Sequence, residues 1–348
     1  MSFGIRACCR PRCQAAFSAI VLFIGTLCAG GTARAAPQQT LTLYSAQHPQ
    51  VIHMLTQAFT EETGIGVRVH SGEGPEIAQQ LLREGPSSPA DVVFVENSPE
   101  LLLLNEHNML APVAAATLAR VPSDHSAPDG RWLGVLARQN VLAWNPSLIN
   151  QQDLPRSLLD LAEPRWKGKV AIAPADADFL PLVGAVIRAK GKEKALSWLE
   201  GLRRNAKLYQ DDESVVAAVN RGSIATGIVN NYYWARLRTE LGEAGMHSQI
   251  AHFAPGDLGN LINISGAAVL ASSKNQADAQ RFLAFLVSQK AQEMLAQSTV
   301  DYEYPLVSGV APNPLLTPLK DLHPPAIAPT AMGDDQESAA LLQRAGLL

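Results

Sequence analysis

The sequence predicts an α/β fold: two lobes, each a sheet with helices packed on it, hinged by two crossover strands. Three observations carry this. Strand-like and helix-like runs alternate along most of the chain, the pattern of parallel sheets. Val92-Val93-Phe94-Val95 is apolar without alternation, as a strand covered on both faces is. The alternation then restarts after two further strand-like runs, in a chain of 348 residues, too long for one small domain.

The elements follow in order. Leu41–Ser45 alternates and reads as a first strand; Ala46-Gln47-His48-Pro49 breaks it. Val51, Ile52, Leu55, Ala58 and Phe59 fall on one helical face. Gly64–Val69 is a second strand, His70–Pro75 a loop, Glu76–Glu84 a helix and Ala90–Val95 the third strand. Asn97–Asn108 reads as helical, and Leu110–Val121 as a helix with a loop. Arg131–Leu136 and Val141–Trp144 read as two strands crossing into the second lobe. There the predicted elements are helix Ser157–Leu161, strand Val170–Ala173, helices Phe179–Ala189, Glu193–Asn205 and Ser214–Asn220, and the strand Ile224–Val229. Leu261–Leu270 is a long strand that returns the chain to the first lobe. Helices Gln276–Val287, Lys290–Gln297 and Asp335–Ala345 complete the reading. The expected boundaries are 36–138 with 263–313 for the N-terminal lobe and 139–262 with 314–348 for the C-terminal lobe.

The first 35 residues stand apart. Arg6, Arg10 and Arg12 precede an apolar stretch centred on Ile20–Ile24, and Ala33-Arg34-Ala35 offers small residues where a signal peptidase reads. This predicts an export signal cleaved before Ala36 and a periplasmic destination. All four cysteines lie in that segment, so the mature chain has neither disulfides nor thiolate ligands. Four arginines and no acids leave with it, taking the formal charge from −4 to about −8. Such a balance disfavours nucleic acid as a partner. A nucleotide fingerprint and a serine nucleophile elbow are both missing, so no enzyme is expected.

Asn230-Asn231-Tyr232-Tyr233-Trp234 is the unusual stretch. In a strand the two adjacent phenols would point to opposite faces. They converge only if the strand ends before them and the backbone turns. The pair is then either aromatic packing in a core or at a ligand edge, or a pair of hard oxygen donors suited to a highly charged cation. His48 follows the first strand and Glu96 the third, at the carboxyl ends where parallel sheets keep their binding groups. Two phenolates, a carboxylate and an imidazole, drawn from two lobes, match a trivalent iron ion, and a metal held between lobes couples binding to closure. His53 reads as a surface residue, and His70 and Glu73 as part of a cleft rim.

Several segments resemble the periplasmic ferric-ion-binding proteins of bacterial iron ABC transporters: Tyr44–His48, Ala90–Glu96, Arg165–Val170, Asn230–Trp234, Ile264–Leu270 and Tyr304–Leu306. The resemblance implies a two-lobed type II periplasmic-binding-protein fold, similar to a transferrin lobe. It implies Fe3+ as cargo held by His48, Glu96, Tyr232 and Tyr233, a monomer, and an inner-membrane permease as partner. The alternative cargo on the same fold is a small organic or phosphorus-containing solute. One stretch departs from the family pattern. Where small polar residues hold a synergistic anion, this chain has Asp176 and Asp178, with Glu213 further on, although Asn230 keeps its place. Either Asp176 replaces the anion beside the metal, or these acids are helix caps facing solvent. In both cases the pocket is expected to be acidic.

Overall fold

The computed structural model describes residues 40–328, 331–333 and 335–348. The export-signal reading of residues 1–35 lies outside them. From the start, the order is β1 (Thr40–Ser45), α1 (Pro49–Thr63), β2 (Gly66–Ser71), α2 (Gly74–Glu84), β3 (Val92–Val95), α3 (Ser98–Glu106), α4 (Ala115–Leu118) and β4 (Leu133–Trp144). There follow β5 (Val170–Ile172), α5 (Leu180–Lys190), α6 (Lys192–Asn205), β6 (Ala206–Leu208), α7 (Asp212–Asn220), β7 (Thr226–Asn230), α8 (Asn231–Leu241) and β8 (Gln249–Ala251). The chain closes with β9 (Ile262–Val269), α9 (Gln276–Leu286), α10 (Gln289–Ala296), β10 (Tyr304–Pro305) and α11 (Asp335–Ala345).

The strands form one path, β2-β1-β3-β9-β4-β7-β5-β6, with β8 and β10 also paired to β4. β1 runs parallel to β2 and β3, and β5 parallel to β6 and β7. β9 is antiparallel to both β3 and β4. β4 is the pivot: Leu133–Gln139 pairs with β9, and Asn140–Trp144 pairs with β7. Hydrophobic cores sit on either side of this change of partner. One gathers Leu41, Leu43, Leu55, Phe59, Val92–Val95 and Phe282. Beyond it, Leu182, Trp198, Leu199 and Leu342 form a second, and Val141, Ala171, Val215 and Val229 a third.

α1 shows how sequence sets position. Val51, Ile52, Leu55, Ala58 and Phe59 are all buried, Leu55 and Phe59 completely. Each of these side chains other than Ala58 contributes roughly 1.5–3 kcal/mol by burial, and Phe59 adds an edge-to-face contact with Phe282 at 5.0 Å. Pro49 starts the helix, where its missing N–H costs nothing, and holds His48 in extended backbone just ahead of it. Gly64, at φ 73°, ends the helix by donating its N–H to Thr60 O.

Four expectations are corrected. Arg131–Leu136 and Val141–Trp144 are one strand, β4, buried at every residue. Arg138-Gln139-Asn140 interrupts the apolar pattern, yet each side chain is buried, and Arg138 and Gln139 are paired within the protein. Leu110–Val121 is mostly irregular, with only the single turn of α4. β2 runs on through His70 and Ser71, and Ser157 caps a short 3₁₀ turn, Leu158–Ala162, where an α-helix was predicted. Among the described residues no helix is long and apolar enough to cross a membrane.

Gly134, at the irregularity in β4, faces the backbone: a Cβ there would lie 2.4 Å from His125 O. Gly134→Ala is expected to cost about 1–3 kcal/mol by overpacking. Urea unfolding reads the loss as a lower midpoint at unchanged slope.

Candidate metal centre

Three sheet ends deliver the side chains. His48 follows β1 at the start of α1, and Glu96 follows β3 at the start of α3. β7 ends at Asn230, and α8 begins at Asn231, so Tyr232 and Tyr233 lie in a first helical turn. Successive residues there point to neighbouring sides, not to opposite faces as in a strand. The rings stack with centroids 4.0 Å apart at 30°. Asn231 pins the strand–helix junction: its Oδ1 accepts from Gln139 N at 2.7 Å, and its Nδ2 donates to Tyr302 O at 3.1 Å.

The four predicted donors come together. His48 Nδ1 lies 3.3 Å from Glu96 Oε1, and the His48 ring meets Tyr232 edge-on at 5.7 Å. Tyr232 is buried within the first core although α8 follows β7 of the other half. Its hydroxyl donates to Asp178 Oδ2 at 3.1 Å. Among the described residues no three His, Cys, Asp or Glu side chains are placed to hold a metal by themselves. The two phenols add hard oxygens of the kind that suits a trivalent ion.

Asp176 caps the turn leading into α5, accepting Asp178 N at 3.0 Å and Asp212 N at 3.1 Å. It is a cap, but only half exposed. Asp178 does not face solvent at all: at 3% exposure it pairs with Arg138 Nη2 at 2.5 Å as well as with Tyr232. Asn230 is fully buried, and its N–H donates to Asp212 Oδ2 at 3.0 Å. Glu213 stands at the outside with an exposed carboxylate, ion-paired to Arg236.

The carboxylates of the expected acidic pocket are joined by two arginines. Arg138, buried at 0% exposure on β4, donates to Glu96 O at 2.5 Å and Asn97 Oδ1 at 2.8 Å, and pairs with Glu303 at 3.1 Å. Arg236 donates to His48 Nε2 at 2.8 Å, and its guanidinium lies 5.4 and 5.6 Å from the ring centres of Tyr232 and Tyr233. Asp301, 1% exposed, comes within 3.6 Å of His48 Nδ1, and neither of its oxygens has a hydrogen bond. Sequence reading missed Arg138, Arg236, Asp301 and Glu303. Arg236 alone left a signal, lying three and four positions after the tyrosines on one helical face.

Burial, then the charges of Arg236 and Arg138, push the His48 pKa down to about 4, so its ring is neutral at pH 7. The guanidinium only donates, so Nε2 accepts and the ring proton sits on Nδ1. Burial and then Asp178 raise both phenols, keeping them protonated without a metal. Burial also raises Glu96, against the opposing pull of Arg138. Burial works against charge on Asp178, but the charge of Arg138 together with hydrogen bonds from Asn230, Arg138 and Tyr232 holds that carboxyl below the usual range.

Fold and donors together define a two-lobed α/β solute-binding protein. The family model described as "Bacterial extracellular solute-binding protein" matches residues 87–324. The chain is 38% identical to the Fe(3+)-binding periplasmic protein of Serratia marcescens, covering 91% of this chain and 94% of the relative. It is 35% identical to the major ferric iron-binding protein of Neisseria meningitidis, covering 92% and 97%. Among solved structures, iron-bound HitA from Pseudomonas aeruginosa aligns with a TM-score of 0.84 at 40% identity, covering 89% of this chain and all of that one. The Trichodesmium protein in complex with iron and citrate aligns with a TM-score of 0.78 at 28% identity, covering 89% and 100%. The chain belongs to the bacterial extracellular solute-binding proteins, among the periplasmic ferric-iron-binding proteins.

Proposed function

We propose that this chain binds one ferric ion through His48, Glu96, Tyr232 and Tyr233, in the periplasm, and hands it to an inner-membrane ABC permease. The observation that carries the reading is the meeting of an imidazole, a carboxylate and a tyrosine pair, delivered by the ends of β1, β3 and β7. Relatives named for ferric binding support the cargo. The lobes we assign are 36–138 with 263–313 and 139–262 with 314–348, supported by the switch of β4 from β9 to β7 after Gln139. Buried Arg138 ties Glu96 and Glu303 to Asp178, and so joins groups from both proposed lobes.

The test is to strip the protein of metal, add ferric citrate and record the visible spectrum. The reading expects a tyrosinate-to-iron charge-transfer band that saturates at one ion per chain, with a rise in melting temperature. A colourless protein with an unshifted melt overturns it.

The sign of the pH dependence follows from the site. Both phenols stand above their ordinary range without metal and must lose protons to ligate. Ferric binding thus releases about two protons, and a third where Glu96 starts protonated. His48, neutral above about 4, contributes none at pH 6–8. The affinity constant should rise about 100-fold or more per pH unit across that range and fall as pH drops. Competition titrations with the ferric-ion activity buffered at each pH check the slope; a flat profile contradicts phenolate ligation.

A further inference from the structure

We propose that Arg236 is an internal latch that must let go of His48 before iron is held, so that this residue sets the affinity and release rate of the site. The inference rests on the ferric reading above and adds a competitor to it. Arg236 lies on α8, three and four residues past the tyrosine pair, and its side chain is only 16% exposed. Every face of its guanidinium group is engaged. Nη2 donates to His48 Nε2 at 2.8 Å, Nε donates to Val300 O at 3.1 Å, and Nη1 pairs with Glu213. Its central carbon lies over both tyrosine rings, 5.4 and 5.6 Å from their centres.

This arrangement opposes iron in two ways. It occupies a ring nitrogen of His48, a proposed ligand, with a donor that has nothing to offer a metal. It also places a fixed positive charge beside the site a trivalent cation would enter, where repulsion is little screened. A cation of the protein's own thus bridges α8 and the residue that caps α1. Iron binds the fraction in which that bridge is open, and its apparent affinity falls by that fraction.

Ferric affinity and release are measured by the charge-transfer band under citrate competition, for the wild type, Arg236→Gln, Glu213→Gln and the double variant. With a competent state populated at about 1–10%, Arg236→Gln should tighten binding roughly 10- to 100-fold and slow release. Glu213→Gln, which frees the outer end of the arginine, should tighten it less. It should add nothing in the Arg236→Gln background, because the two act through one contact. Arg236→Lys keeps the charge but loses the fork, and gives the same sign by a smaller factor should the glutamine variant not fold. Unchanged or weaker binding in the arginine variants, beside a coloured wild type, overturns the latch and leaves the ferric reading standing. A wild type that forms no coloured complex overturns both.

Discussion

Tyr233→Phe yields a protein that folds normally and loses most of its visible ferric band. Its affinity should drop by more than the roughly 10–100-fold that loss of an outer-shell partner costs, since a charged oxygen ligand is gone. The ring remains, so the stack on Tyr232 at 4.0 Å survives and the metal-free melt barely moves. Tyr232→Phe differs. It also weakens ferric binding, but its hydroxyl serves the metal-free fold by donating to buried Asp178 at 3.1 Å. Its loss should lower metal-free stability by about 1.5–3 kcal/mol, the worth of a hydrogen bond to a charged group. Spectral titration and denaturant unfolding of the two variants separate ligation from packing. Equal losses in both measurements for both tyrosines would mean the pair is structural.

Arg138→Met is expected to cost about 3–5 kcal/mol, the penalty for stranding a buried charge partner. Arg138 is fully buried and holds Asp178 at 2.5 Å and Glu303 at 3.1 Å, themselves 3% and 2% exposed. The loss carries a pH signature. In the wild type Asp178 titrates below its ordinary value, so its contribution is present above about pH 4 and lost below it. In the variant the same carboxyl is buried without its cation, and its pKa rises above the unfolded value. That costs stability at high pH and is relieved as pH falls and the acid neutralises. The gap between variant and wild type should be largest at pH 8 and narrower at pH 5. Urea unfolding at both values checks this, and a gap independent of pH would assign the loss to shape alone.

Legibility from sequence followed the range of the interactions. β3 and α1 were plain because their signal is local: a run of four apolar residues, and a helical stripe ending at Gly64. The turn that brings the tyrosines together was also readable, since a strand cannot aim adjacent side chains at one point. What failed depends on partners far away in the chain. Arg138 looks like a break in a strand until Asp178 and Glu303, 40 and 165 positions on, are seen to neutralise it inside β4. The spacing of Arg236 places it on the helical face of the tyrosines, but only the fold brings it 188 positions back to His48. Asp301 carries no spacing that marks it, and its place beside His48 comes from the segment leading into β10. The proposed metal donors were thus visible as types at strand ends, whereas the ion pairs around them were not.

The central claim is that one ferric ion is gripped by the groups at the ends of β1, β3 and β7. A crystal of the iron-loaded protein, measured at the iron absorption edge, tests it most directly. The account predicts a single anomalous peak bonded to the phenol oxygens of Tyr232 and Tyr233, with His48 and Glu96 completing the protein ligands and Arg236 withdrawn from the imidazole. A peak elsewhere, or one that leaves both phenols unbonded, would contradict it.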